Sequence, residues 1–186
     1  MILSLAAVLL QQPLAARTQA PPGTMPFDST TKLITSTGRS IADVKSALEM
    51  YRRAVFNGSD ADVLDASTTL RLRCHSLDSA AVFAARRVCR RCTQPNVQPP
   101  LDRYREIMPA VASVGSRCAA RLASLLRKPA PGAARQLRSD VRVVGNAIVT
   151  GLIPYERRLQ ALREATGWAP PRATAVPRRA PRPGGQ

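Results

Sequence analysis

The sequence predicts an all-α fold, an up-down-up-down four-helix bundle with disulfides, flanked by a disordered N-terminal linker and C-terminal tail. Three observations predict it. Apolar residues recur in steps of three and four along four long segments, the period of one helix face. Aromatic residues make up 4% of the chain against a hydrophobic fraction of 45%. The core is therefore built from Leu, Val, Ile and Ala, without the alternating β-branched and aromatic pattern of strands. Short Pro- and Gly-bearing breaks separate the segments, and short connections make antiparallel neighbours. A length of 186 residues suits one domain plus extensions, and no internal repeat is visible.

Residues 1–20 carry the apolar run Ile2 to Leu10, the length of a signal-peptide core and far short of the roughly 20 residues that span a bilayer. Small residues place cleavage near Ala16 or, ahead of Pro21, near Ala20. The basic n-region of a standard signal is missing, because nothing cationic precedes Arg17. Residues 21–39, rich in Pro, Ser and Thr, read as a linker. The helical domain is then expected over 40–167.

Helix 1 is expected to start at Ser40, where Ser40 and Asp43 have the spacing of a capping box. Ile41, Val44, Leu48, Tyr51 and Val55 follow at helical spacing, and Asn57-Gly58 ends the helix. Ser59 and Asp62 form a second box that opens helix 2, with Val63, Leu70, Cys74, Leu77, Ala81 and Val88 on its apolar face. Ser76 to Ser79 is a candidate interruption, since Asp78 and Ser79 favour caps over interiors. Thr93 to Pro100 is a break. Helix 3 carries Leu101, Tyr104, Met108, Val111, Gly115, Cys118, Leu122 and Leu125, with Pro109 expected to kink it. After a turn from Lys128 to Gly132, helix 4 carries Leu137, Val141, Val144, Ile148, Leu152, Tyr155, Leu159 and Leu162. Pro154 should bend helix 4 and Gly167 should end it. The tail, residues 168–186, is rich in Pro and Arg with no acid and cannot bury a core.

Four cysteines behind an export-like segment point to an oxidising compartment and to disulfides rather than metal ligands or nucleophiles. Hairpin geometry chooses among the three pairings. In an antiparallel hairpin, residues equally distant from the turn lie at equal height. Cys74 is 22 residues before Asn96 and Cys118 is 22 after it, and both sit on apolar stripes. This predicts a Cys74–Cys118 bridge and leaves Cys89–Cys92 as a local pair in the last turn of helix 2. The rival readings are a thiol redox or metal-binding protein using Cys89 and Cys92. The Cys89-Arg90-Arg91-Cys92 spacing fits a dithiol motif, with Arg86, Arg87, Arg90 and Arg91 favouring a thiolate. Such motifs, however, open a helix after a strand, and this one closes a helix. Thr93 stands where covalent haem attachment needs His, and Cys74 and Cys118 lack a close second cysteine for a metal site.

The formal net charge is +16. Only Lys32, Lys45 and Lys128 among the 28 basic residues are lysine, so arginine dominates. With abundant Ala, Pro, Gly and Val, this is the bias of a GC-rich genome, and the arginines recur on every helix. The functional alternative is a polyanion binder, for nucleic acid, acidic glycan or anionic lipid. It would use Arg86, Arg87, Arg90 and Arg91 with Arg178, Arg179 and Arg182 of the tail.

Signals for catalysis are absent from the sequence. His75 is the only histidine and has no assigned carboxylate partner. The carboxylates Asp43, Asp60, Asp62, Asp102 and Glu106 fall near helix starts, where caps and dipole partners belong. Phosphate loops, G-x-S-x-G elbows and H-E-x-x-H motifs do not occur. The expectation is a secreted or periplasmic, non-enzymatic envelope binding or interaction module. It needs no cofactor or metal and meets a protein partner or an anionic envelope surface, with nucleic acid ranked below these.

Overall fold

The computed structural model describes residues 27–92 and 97–167. Four α-helices make up the domain: α1 (Phe27–Asn57), α2 (Asp60–Arg87), α3 (Gln98–Leu126) and α4 (Ala130–Thr166). No strand occurs among the described residues. The expected signal segment, residues 1–20, and the expected tail, residues 168–186, lie outside them.

Contacts run in opposite order along consecutive helices. Thr30 of α1 meets Cys89 beyond the end of α2, while Asp43 meets Arg73. Cys74 of α2 pairs with Cys118 of α3. On α3, Arg121 bonds Asp140 early in α4, whereas Tyr104 meets Tyr155 near the end of α4. Lys45 pairs with Glu156 and Arg138 reaches Val55, which sets α4 antiparallel to α1.

Helix α1 starts at Phe27 and not at Ser40, so residues 27–39 of the expected linker are helical. The reason is visible in the packing. Thr30, Ile34 and Thr37 are buried and extend the stripe of Ile41, Val44, Leu48 and Tyr51 by three more contacts. The Thr37 hydroxyl donates to the Leu33 carbonyl, which lets a polar residue sit on an apolar face. Ser40 is mid-helix, and its hydroxyl donates to Ser36 rather than capping anything. The second box forms as expected. Ser59 accepts from the Asp62 N–H, and the Asp62 carboxylate accepts from the Ser59 N–H at 2.7 Å.

Helix α2 is continuous through Ser76–Ser79. It buries Val63, Ser67, Leu70, Cys74, Leu77, Ala81 and Ala84, a seam of alternating three- and four-residue steps. Both α3 and α4 run through their internal prolines, Pro109 and Pro154, which are exposed. Each loses one backbone bond on the solvent side and keeps the core face intact. Helix α4 begins inside the expected turn, at Ala130, with Pro131 in its first turn. There a missing N–H leaves no partner wanting. Gly167 closes it in the left-handed region at φ 65°, a conformation glycine adopts without a Cβ penalty.

The α2–α3 interface is close at Gly115. A Cβ on Gly115 would lie 2.6 Å from the Cys74 carbonyl oxygen and 2.7 Å from the Asp78 nitrogen. Bare backbone at Gly115 is thus what lets the helices approach, one turn from Cys118. The other end of α1 is closed from α4. Arg138 donates to the carbonyls of Val55 and Gly58 and to Asp60, at 2.9 Å for Gly58 and 3.1 Å for Asp60. It supplies the cation that the C-terminus of α1 lacks in its own last turn.

Three tyrosines anchor the core, Tyr51, Tyr104 and Tyr155, all essentially inaccessible. The Tyr51 hydroxyl donates to the Leu137 carbonyl. Burial pushes its phenol far above the usual tyrosine range, and the Asp140 carboxylate adds to the effect. Tyr104 and Tyr155 pack ring to ring at 5.7 Å. Their hydroxyls have no hydrogen-bond partner of good geometry among the described residues.

Candidate functional site

The four cysteines form two pairs at disulfide distance. Cys74 and Cys118 are 5.9 Å apart between Cα atoms and 44 residues apart in sequence, as the hairpin register requires. Cys89 and Cys92 are 5.7 Å apart between Cα atoms. The location of the local pair differs from the expectation. Helix α2 ends at Arg87, so Cys89 and Cys92 lie in the α2–α3 connection instead of the last turn of a helix.

That connection is held from two sides, α1 and α3. The Cys89 N–H donates to Thr30 Oγ1 at 3.3 Å, and the Cys92 N–H donates to Gln98 Oε1 at 2.9 Å. Gln98 in turn donates to Asp102 at 2.9 Å. Cys89 is 4% exposed. Cys92 is partly buried, so an external thiol would have to approach the pair from the Cys92 side.

Arg86, Arg87, Arg90 and Arg91 are all exposed. None has a carboxylate partner among the described residues. Arg87 lies over the Phe83 ring at 5.7 Å, and Phe83 is 52% exposed. The patch therefore joins four guanidinium groups to an accessible aromatic face.

The antiparallel order puts this patch at a particular end of the bundle. The start of α1, the end of α2, the start of α3 and the end of α4 share it, as the Thr30–Cys89 and Tyr104–Tyr155 contacts show. The chain thus leaves the domain at Gly167 from the end that carries Arg86, Arg87, Arg90 and Arg91. Arg178, Arg179 and Arg182 lie outside the described residues, but their point of attachment is this same end. Both arginine groups stand out in the sequence, but that the tail is attached at the end carrying Arg86 to Arg91 follows only from the order of the helices. Exposed Arg103, Arg157 and Arg158 are on the adjoining turns of α3 and α4. Both ends also carry acids: Asp102, Glu106, Glu156 and Glu164 on those turns of α3 and α4, and Asp60, Asp62 and Asp65 beside Arg127, Lys128 and Arg135 at the opposite end.

His75 is exposed on α2. Among the described residues no group of three or more His, Cys, Asp or Glu side chains is placed to hold a metal ion. No helix is long and apolar enough to cross a membrane. Comparison of the chain with protein-family models, curated proteins and solved structures yields no match.

Proposed function

We propose that the protein is an exported, disulfide-clamped, non-enzymatic binding module that attaches through its basic end to an anionic envelope surface. The observation that carries this reading is the convergence of charge at one end. Four exposed arginines without acidic partners sit where the arginine-rich, acid-free tail leaves the bundle. Each basic side chain near an anionic lipid surface contributes about 1 kcal/mol. Arg86, Arg87, Arg90 and Arg91 supply about four such contributions, and the tail adds to them. Phe83 beside Arg87 offers an apolar face at the headgroup level, where aromatic side chains are favoured.

The export half of the reading rests on the apolar run before Arg17 and on two cysteine pairs at disulfide distance. A single compartment accounts for both, since disulfides persist outside the cytosol.

The test is co-sedimentation of the full mature chain with vesicles of phosphatidylcholine alone or with phosphatidylglycerol added. The expected result is binding to the anionic vesicles only. It should weaken steeply with salt and be largely lost in the R86Q/R87Q/R90Q/R91Q variant. Equal binding to both vesicle types, or undiminished binding by the variant, overturns the proposal. A DNA duplex held more tightly than the vesicles also overturns it, in favour of nucleic acid.

A further inference from the structure

A second feature lies away from the basic end, between α3 and α4. Val114, Cys118, Val144, Ile148 and Gly151 form the floor of a groove of about 600 Å³ that is open on one side. This falls within the ~300–1,000 Å³ range of sites that hold small molecules. The groove exists because small residues line α4. Val114 closes the floor against Gly151, where a Cβ would lie 2.5 Å from the Val114 methyl, and Ala147 one turn earlier leaves the α4 wall low. On α4 the apolar lining extends outward to Val143, 62% exposed.

The charged residues lining the groove are both arginines, Arg117 and Arg121, one helical turn apart on α3. Their states differ. Arg121 is already committed, with its Nε donating to Asp140 at 2.8 Å. Arg117 spends only its Nε, on the Ser113 carbonyl at 3.3 Å. It has no carboxylate partner among the described residues. A dry apolar floor beside an uncompensated guanidinium is complementary to a molecule with an apolar body and a single anionic head.

We propose that the α3–α4 groove binds a free single-chain anionic amphiphile, a fatty acid. Its chain lies along Val114, Val144, Ile148 and Gly151, and its carboxylate meets Arg117. Seven residues of helix, from Val114 to Arg121 and from Val144 to Gly151, give the floor a length of about 10 Å. A chain longer than that continues past the floor into solvent. Carboxylate and guanidinium match in shape as well as charge, which an uncharged head of similar size does not. The site is distinct from the basic end, because neither Arg117 nor Arg121 belongs to it.

The test is calorimetric titration of the full mature chain with laurate below its micelle concentration, and with dodecyl maltoside as the uncharged comparison. Laurate is expected to bind saturably with one molecule per chain, and dodecyl maltoside at least about tenfold more weakly, one charge-assisted contact being worth that much. Arg117→Gln should bring laurate down by a similar factor and leave dodecyl maltoside unchanged. Ala147→Trp, at an exposed position, should block both. The R86Q/R87Q/R90Q/R91Q variant should bind laurate as the parent does, which keeps this test separate from that of the basic end. No saturable laurate binding, or parent-like binding by both groove variants, overturns the proposal. So does a concentration-dependent dimer abolished by Ala147→Trp, which makes a second copy the occupant.

Discussion

Replacing Gly115 by Ala tests whether the α2–α3 contact is set by bare backbone. The added methyl would sit 2.6 Å from the Cys74 carbonyl oxygen and 2.7 Å from the Asp78 nitrogen. Ordinary contact begins near 3.4 Å, so the overlap is about 0.8 Å at its worst. Both atoms are backbone, and neither can rotate away as a flexible side chain would. The helices must part, and the Cys74–Cys118 link one turn along limits how far they can. Overpacking of this kind costs ~1–3 kcal/mol and occasionally more. Against it stands the intrinsic gain of Gly to Ala in a helix, ~1 kcal/mol. With immovable atoms on the other side, the upper part of the cost range applies, and the net loss is about 2 kcal/mol.

Gly132→Ala is the control. It is also helical, in the first turn of α4, but a Cβ there meets nothing within 4 Å. Only the propensity term remains, a gain of roughly 0.5–1 kcal/mol. Urea unfolding followed by far-ultraviolet circular dichroism, with the disulfides intact, separates the two. The expected midpoints lie on opposite sides of the parent. If Gly115→Ala is as stable as Gly132→Ala, the close approach is not what glycine serves at that position.

The two cysteine pairs should differ in the same assay. A link across 44 residues contributes about 4 kcal/mol on the chain-entropy account, and one across three residues less than about 2 kcal/mol. C74A/C118A should therefore lower the urea midpoint far more than C89A/C92A, and equal losses would contradict that account. The tyrosines should also part company. Tyr51→Phe removes the bond to the Leu137 carbonyl and should cost about 1 kcal/mol. Tyr104→Phe removes a hydroxyl without a well-formed partner and should be neutral or stabilising. A larger loss at Tyr104 than at Tyr51 would show that its hydroxyl is satisfied. Stability should also respond to acid through the cap of α2. Hydrogen bonds from the Ser59 side chain and backbone hold the Asp62 carboxyl below its usual range. Its contribution is therefore present above the unfolded value and lost as the pH falls through the lower folded value. Ser59→Ala should flatten that part of the pH profile, as read by urea midpoints between neutral and acidic pH. An unchanged profile would mean the box contributes nothing.

Much of this fold is legible in the chain because its helices are amphipathic in a simple way. The stripe of α3 from Leu101 to Leu125 is buried at nearly every step. The equal spacing of Cys74 and Cys118 about Asn96 gives the register of the hairpin before any coordinates. The first half of α1 is illegible for a specific reason. Its stripe is completed by Thr30 and Thr37, which resemble linker residues by composition. They become core residues only when the Leu33 carbonyl and the Cys89 N–H take up their hydroxyls. The end of α2 and the start of α4 differ from the expectation by a few residues, because Arg, Ala and Pro fit a terminal turn or a loop equally well.

The candidate sites were legible as residues but not as places. Arg86 to Arg91 and the tail arginines stand out in the sequence, yet the attachment of the tail at the end that carries Arg86 to Arg91 follows only from antiparallel packing. The groove is hidden more deeply. Val143, Ala147 and Gly151 follow the helical period, but which of them faces α3, and which faces water, depends on the rotation of α4 about its axis. That rotation is set by tertiary contacts such as Arg121 to Asp140 and Tyr51 to Leu137.

The account depends most on the chain being an exported protein with its cysteines oxidised in a defined register. Intact mass of the natively produced protein, before and after reduction and alkylation, with peptide mapping of the linked cysteines, tests this directly. The predicted result is a mass lacking the N-terminal apolar segment, two disulfides, and Cys74 linked to Cys118. An uncleaved chain with four alkylatable thiols would contradict it, removing the oxidising compartment and the envelope surface together.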